Sequence, residues 1–180
     1  MKKVGPYSLI KSSLIYKNPW ISLREDEVIF PKGKKGIFGV VTMKPGSSIV
    51  AIDDEMQIYL IKEYKYGVKR ESLELISGAI DLGETPLAAA KRELKEETGL
   101  TARKWTKLGC VDPFTTIINS PNHIFLAQNL KAGSAQPEDG EVLILVRMKF
   151  TDSISMVMKG QITHAASCVG ILKAAKIIGI

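Results

Sequence analysis

Between Gly78 and Leu100 the chain reads GAIDLGETPLAAAKRELKEETGL, and three carboxylates, Glu93, Glu96 and Glu97, fall within five residues of it. Glu84 precedes them, and Arg92 and Lys95 lie among them. On a helix of 3.6 residues per turn, Glu93 and Glu97 stand one above the other and Glu96 falls on the same flank. Like charges at this spacing repel and weaken the helix, and Arg92 and Lys95 neutralise only part of the charge. A hard divalent cation with oxygen ligands removes the repulsion, and Mg²⁺ commonly binds through carboxylates together with substrate phosphates. The pattern therefore points to a metal held against a diphosphate. Most helices rich in Glu, Lys and Arg are only solvated faces. Gly78 and Glu84, in fixed register with the cluster, argue for a site instead.

The elements that must position these groups are legible around them. Thr85 is a good N-cap and Pro86 is preformed for the first helical position. Leu87, Ala90, Leu94 and Thr98 then recur at the spacing of one buried face, and Gly99 suits a left-handed helix end. Residues 57–64 read as a strand, and residues 73–76 as a second one that delivers the chain to Ser77 and Gly78. A glycine there lets backbone approach a ligand closely.

Elsewhere, β-like runs occur at 13–16, 21–30 and 36–41, with a turn at 31–35 that predicts a hairpin. Further strands are expected at 105–111, 124–130 and 142–150, after a polar stretch at 131–140. Helical patterns cover 151–159 and 163–177. The chain divides on this reading into an N-terminal β extension, residues 1–45, and a main domain, residues 46–180.

Composition narrows the class. The chain has 180 residues and a formal charge of +6, but its lysines are scattered and form no basic block. An anionic small-molecule substrate, or simple solubility, explains the charge as well as nucleic acid does, and nucleic acid is not the expectation. No apolar run approaches the ~20 residues that span a bilayer, so no membrane partner is expected. The N-terminus lacks the apolar region of a signal peptide. Cys110 and Cys168 form neither a metal pattern nor a disulfide framework. A cytoplasmic protein with reduced thiols is the expectation.

Position for position, residues 78–100 resemble the Nudix box: G, five residues, E, seven residues, then REUxEExGU, with U aliphatic. The resemblance implies an α+β Nudix fold, an α/β/α sandwich around a mixed β-sheet, here with an N-terminal antiparallel β extension. It implies a Nudix pyrophosphatase with Mg²⁺, or Mn²⁺, as cofactor. The wider order of features, Glu-Tyr-Lys-Tyr at 63–66, Glu-Leu-Ile-Ser-Gly at 74–78, the box and an acidic loop, resembles the ADP-ribose pyrophosphatase branch. In that branch the β extension helps to form a homodimer.

Carried over to this sequence, the resemblance makes Glu93 and Glu97 the principal metal ligands, with Glu96 and the Ser77 carbonyl beside them. Arg92 and Glu84 become the pair that orients the cluster. The proton acceptor is expected in the acidic loop, at Glu138 first and Glu141 second, with a box glutamate as the alternative. Tyr64, Lys65, Tyr66, Arg70 and Glu74 are candidate substrate contacts, and Trp20 or Phe30 is a candidate base-stacking ring. Thr116 and Ser120 stand where the branch usually carries Gly and Glu, which leaves room for nucleoside diphosphate sugars other than ADP-ribose. The expected reaction is hydrolysis of the pyrophosphate bond of such a compound. The alternatives are a non-catalytic nucleotide-binding or regulatory module and, within the class, a pyrophosphatase for dinucleoside polyphosphates or nucleoside triphosphates.

Overall fold

The computed structural model describes residues 1–134 and 142–180. Its organising element is a run with no polar face, GSSIVAI, which forms β5 (Gly46–Ile52) and is buried at every residue after Gly46. Side chains alternate across a strand, so β5 feeds two cores. Ile49 and Ala51 pack with Ile61, Ile76 and Phe125 against Ala90 and Leu94 of α1 (Pro86–Thr98). Val50 and Ile52 pack with Leu60, Leu75, Ile124 and Leu126 against Ile171 and Ala174 of α3 (Ala165–Ile178) and Phe150 of α2 (Phe150–Met158). One sheet between two helical layers is the α/β/α sandwich of an α+β Nudix fold.

The sheet is completed by β6 (Gln57–Lys65), β7 (Arg70–Ala79), β8 (Thr101–Val111), β10 (Asn122–Lys131) and β11 (Ile144–Lys149), in the order β11-β6-β7-β5-β10-β8. The β5–β10 pair is parallel and its other ladders are antiparallel, so the sheet is mixed. β7 lies between β5 and β6 only in part. Its pairing with β5 ends at Ile76, after which Ala51 and Ile52 of β5 pair with β6 directly. At this fork the Leu75 N–H has turned away from a strand partner and donates instead to Ser167 Oγ of α3, at 2.9 Å.

These elements form one compact unit, Pro45–Val111 with Asn122–Ile180. The other unit joins Met1–Lys44 to Asp112–Pro121. It is a second sheet ordered β1 (Lys2–Val4), β2 (Tyr7–Lys17), β3 (Ile21–Ile29), β4 (Lys35–Met43), β9 (Ile118–Asn119). The hairpin expected at 31–35 joins β3 to β4, with Gly33 at φ 83° in its turn. Phe30 packs edge-on against Tyr7 at 5.4 Å between ring centroids and tilts against Phe38 at 5.7 Å, so its ring takes part in the packing of this sheet. Phe150, read in the sequence as the end of a strand, instead opens α2. Among the described residues no helix is long and apolar enough to cross a membrane.

Helix α3 lies tightly on the sheet at Gly170. A Cβ there would meet Leu75 Cδ1 at 2.8 Å, Ile124 Cγ2 at 3.0 Å and Val50 Cγ2 at 3.1 Å. Glycine-to-alanine exchange inside a helix ordinarily gains up to ~1 kcal/mol, whereas overpacking a filled core loses ~1–3 kcal/mol. The second effect wins here. Gly170→Ala is expected to lower stability by about 1 kcal/mol in urea unfolding; a rise in the midpoint would show that the layer has slack.

Candidate active site

The acidic helix begins and ends where its sequence dictates. Thr85 Oγ1 accepts the Ala88 N–H at 3.2 Å, and Pro86 is the first residue of α1. At the other end Gly99 adopts φ 71° and its N–H reaches the Lys95 carbonyl at 2.8 Å. Leu94 and Ala90 face the core, which turns Glu93, Glu96 and Glu97 onto the half-buried flank. Ser47 Oγ ties the helix start to β5 through the Pro86 carbonyl at 2.8 Å.

Arg92 organises this flank. Its Nε–H and one Nη2–H hold both Glu84 oxygens, each at 3.1 Å, and Nη2 also donates to the Ala79 carbonyl at 2.9 Å. Nη1 donates to Glu93 Oε1 at 2.7 Å and Glu96 Oε2 at 2.9 Å. A guanidinium has five N–H donors, and every one is placed. The bonds from Glu84, then from Glu96 and Glu93, raise the Arg92 pKa further against the opposing effect of burial. The Arg92 bond is in turn the main reason the Glu84 carboxyl titrates below its usual range. One positive charge still faces three carboxylates.

Glycine at position 78 has a steric explanation. An added Cβ would lie 1.9 Å from Glu93 Oε1 and 2.0 Å from Glu93 Cδ, so the carboxylate occupies the space a side chain would take. Beside it is a cavity of about 110 Å³ lined by Glu63, Lys65, Glu74, Ser77 and Glu97 over an apolar floor of Ile61, Leu75 and Leu143. Burial disfavours the charge on Lys65, but its bond to Glu63 and the nearby Glu74, Glu63 and Glu97 carboxylates outweigh that and raise its pKa.

Among the residues singled out by sequence, Ser77, Glu97, Glu74 and Lys65 thus share one cavity. Glu93, Glu96 and Glu84 gather on Arg92. Arg70 is engaged with Thr163 Oγ1 at 2.9 Å, while Tyr64 and Tyr66 are exposed and do not line this cavity. Trp20 is exposed within the N-terminal unit. Glu138 and Glu141 lie outside the described residues. Sequence reasoning passed over Glu63, whose signal was strand alternation with Ile61 and Lys65. It also passed over His164, which carries no local signal. His164 reaches Glu74 only across the fold, with Nδ1 3.5 Å from Glu74 Oε2.

Clustered carboxylates and a backbone carbonyl are the donor set that a hard divalent cation takes. The space left by Gly78 lets Glu93 lie against backbone, as such a site needs. Among the described residues no three carboxylate, imidazole or thiol groups already converge on one point. The reason is visible in Arg92, which draws Glu93 and Glu96 onto itself.

A strand with glycine near its end and a helix bearing REXXEE, held together by an arginine, define a Nudix-type catalytic unit. The chain belongs to the Nudix family: the NUDIX domain matches residues 42–156. It is an enzyme of that family, a Nudix pyrophosphatase. The nucleoside diphosphate sugar hydrolase N-terminal domain matches residues 8–41. The chain is 27% identical to an ADP-ribose pyrophosphatase of Bacillus subtilis over 173 residues, 95% of this chain and 93% of that one. It is 28% identical to an ADP-ribose pyrophosphatase of Mycobacterium tuberculosis over 169 residues, 92% and 82% of the two chains. The fold superposes on the crystal structure of an ADP compounds hydrolase with a TM-score of 0.84, at 21% identity, covering 99% of this chain and 97% of that one.

The Gly78 contact generates a test. Gly78→Ala displaces the Glu93 carboxylate but leaves the backbone φ permissible, since Gly78 is not among the positive-φ glycines. Misplacing a catalytic group by about 1 Å can reduce rate ~100-fold. Pyrophosphatase turnover should fall by about that factor while the thermal midpoint moves only a few degrees. Retention of full turnover would mean that the position of Glu93 is immaterial.

Proposed function

We propose that this protein hydrolyses the pyrophosphate bond of a nucleoside diphosphate joined to a sugar, with ADP-ribose, yielding AMP and ribose 5-phosphate, as the leading substrate. The observation that carries this reading is the cavity in which the Lys65 ammonium stands among Glu63, Glu74, Glu97 and Ser77, beside the Arg92-held carboxylates. It combines a cation for phosphate with oxygen donors for metal. The ADP-ribose pyrophosphatases of similar sequence support the substrate class. Thr116 and Ser120 keep other nucleoside diphosphate sugars within it; the Ser120 hydroxyl is committed to the Lys44 carbonyl at 2.9 Å.

In this reading Glu93, Glu97, Glu96 and the Ser77 carbonyl hold Mg²⁺, with Mn²⁺ as a substitute. A divalent cation bound there supplies Lewis-acid polarisation of the phosphoryl group and an acidified water. Lys65, or Arg70, meets the diphosphate and fixes its orientation. Arg92 and Glu84 keep the carboxylates in place. Tyr64, Tyr66 and Trp20 are kept as candidate contacts to the nucleoside. The proton released by the attacking water passes to Glu138, or to Glu141, or to a box glutamate.

Incubation with ADP-ribose, ADP-glucose, GDP-mannose and dinucleoside polyphosphates under Mg²⁺ or Mn²⁺ tests the proposal. AMP and ribose 5-phosphate are expected from ADP-ribose; absence of turnover on the whole panel would leave a binding module instead. Glu97→Gln separates chemistry from helix structure. Stability should hold or rise slightly, because like-charge repulsion falls. Turnover should drop at least ~100-fold and calorimetric Mg²⁺ binding should weaken, since a lost ligand misplaces the site. Wild-type turnover in Glu97→Gln at limiting Mg²⁺ would sink the metal assignment. Glu138→Gln is expected to keep Mg²⁺ binding and lose ~10²–10⁴ in rate if it is the base.

We also propose that the N-terminal unit forms a homodimer interface. Leu14, Ile15, Tyr16 and Ile37 of its strands are large apolar side chains left 52–64% exposed, which a partner surface would cover. Sedimentation of the intact protein at micromolar concentration should give a dimer. A monomer there rejects the assignment.

A further inference from the structure

Side chains two residues apart share a face of a strand, so on β6 Glu63 and Lys65 project on the same side as Ile61, which packs in the core with Leu94 of α1. Lys65 Nζ donates to Glu63 Oε2, and both residues line the cavity beside the acidic helix. Lys62 takes the other face and pairs with Glu71 at 2.6 Å. Across the ladder from Lys65 stands Arg70, and across from Glu63 stands Ser72. Arg70 donates to a neutral hydroxyl, Thr163 Oγ1, which does not compensate its charge. Like charges directly opposed across a ladder repel. The Lys65 ammonium has a cation across from it and a carboxylate behind it on its own strand, and it takes the carboxylate.

The pair leaves the ammonium usable. An ammonium has three N–H donors, so one placed on Glu63 leaves two for a ligand. A lysine stem has many rotamers, and a ligand that must order the stem loses affinity in doing so. A tether already in place removes part of that loss. The side chains of Lys65 and Glu63 are 39% and 30% exposed. A pair this open contributes modestly, so the carboxylate guides the ammonium without locking it.

We infer that Glu63 is a positioning residue, whose direct bond to Lys65 holds the ammonium at the cavity where it meets the diphosphate. The inference rests on the reading of Lys65 as a phosphate contact. Its consequence is a change of sign. With Lys65 present, losing Glu63 frees the ammonium and weakens the hold on phosphate. With Lys65 absent, losing Glu63 only removes a negative charge from beside an anionic ligand, and binding holds or tightens.

The test is the affinity for inorganic pyrophosphate with Mg²⁺, read by calorimetry on the full chain, for Glu63→Ala, Lys65→Met and the double variant. Glu63→Ala should weaken binding by about 5-fold, the upper range for an ion pair of this exposure. The double variant should bind at least as tightly as Lys65→Met alone, because Glu63 acts through Lys65. Glu63→Gln, which keeps an acceptor for the ammonium, should retain most of the affinity. Mg²⁺ binding without pyrophosphate should be unchanged in Glu63→Ala; a loss there would make Glu63 a metal ligand and overturn the inference. Should Glu63→Ala not fold, Glu63→Met, which fills similar space without an acceptor, takes its place with the same loss expected. Unchanged or tighter pyrophosphate binding in Glu63→Ala, or the same factor lost with and without Lys65, overturns the inference alone. Unchanged affinity in Lys65→Met overturns the reading of Lys65 and the inference with it.

Discussion

With all five N–H groups engaged, Arg92 fixes Glu84, Glu93, Glu96 and the Ala79 carbonyl in a single arrangement. The acidic flank of α1 could not otherwise be compact, since its carboxylates repel. A lysine could not substitute, having three donors on a point charge where a planar fork is required. The geometry also explains the distances along the sequence. Glu84 must precede the helix to meet the guanidinium from one side, while Glu93 and Glu96 meet it from the helix itself. Gly78 then keeps clear the space into which Arg92 and the sheet press the Glu93 carboxylate.

The framework around this point is a set of choices made by single residues. Ser47 fastens the start of α1 to β5, and Thr85 caps it. Ser167 closes the backbone bond that the forked sheet leaves open at Leu75. Each is a small hydroxyl residue that satisfies a backbone group; Ser47 and Ser167 do so from buried positions, where an unpaired group would be costly, and Thr85 does so at an exposed helix start.

Much of this was legible before the fold was known. The cap at Thr85, the apolar face of α1 and the stop at Gly99 follow local rules, and the structure follows them residue by residue. β5 was not singled out, because a strand buried on both faces loses the alternation that identifies strands. The fork at Leu75 was equally hidden, since it depends on which strand pairs with which and not on any one segment. Glu63 could have been read from alternation along β6. His164 could not: its meeting with Glu74 joins residues at the two ends of the main unit, and no spacing encodes it. The packing of Phe30 with Tyr7 and Phe38 was hidden in the same way, since it depends on how three strands come together.

The position of β5 has a consequence for how the chain comes off the ribosome. β5 is made early, yet one of its neighbours is β10, which ends at Lys131. Its hydrophobic sequence, Ile-Val-Ala-Ile, is shielded from one edge only by a strand that does not yet exist while β6 and β7 are emerging. Parallel pairing between distant segments forms slowly, and unpaired apolar strands are the segments that aggregate. The first four strands, by contrast, form a local antiparallel meander that needs nothing from downstream except β9 at its edge. Synthesis therefore passes through an interval in which the nascent chain carries a folded-competent leading sheet and an exposed central strand, and it is during this interval that a chaperone has most to offer.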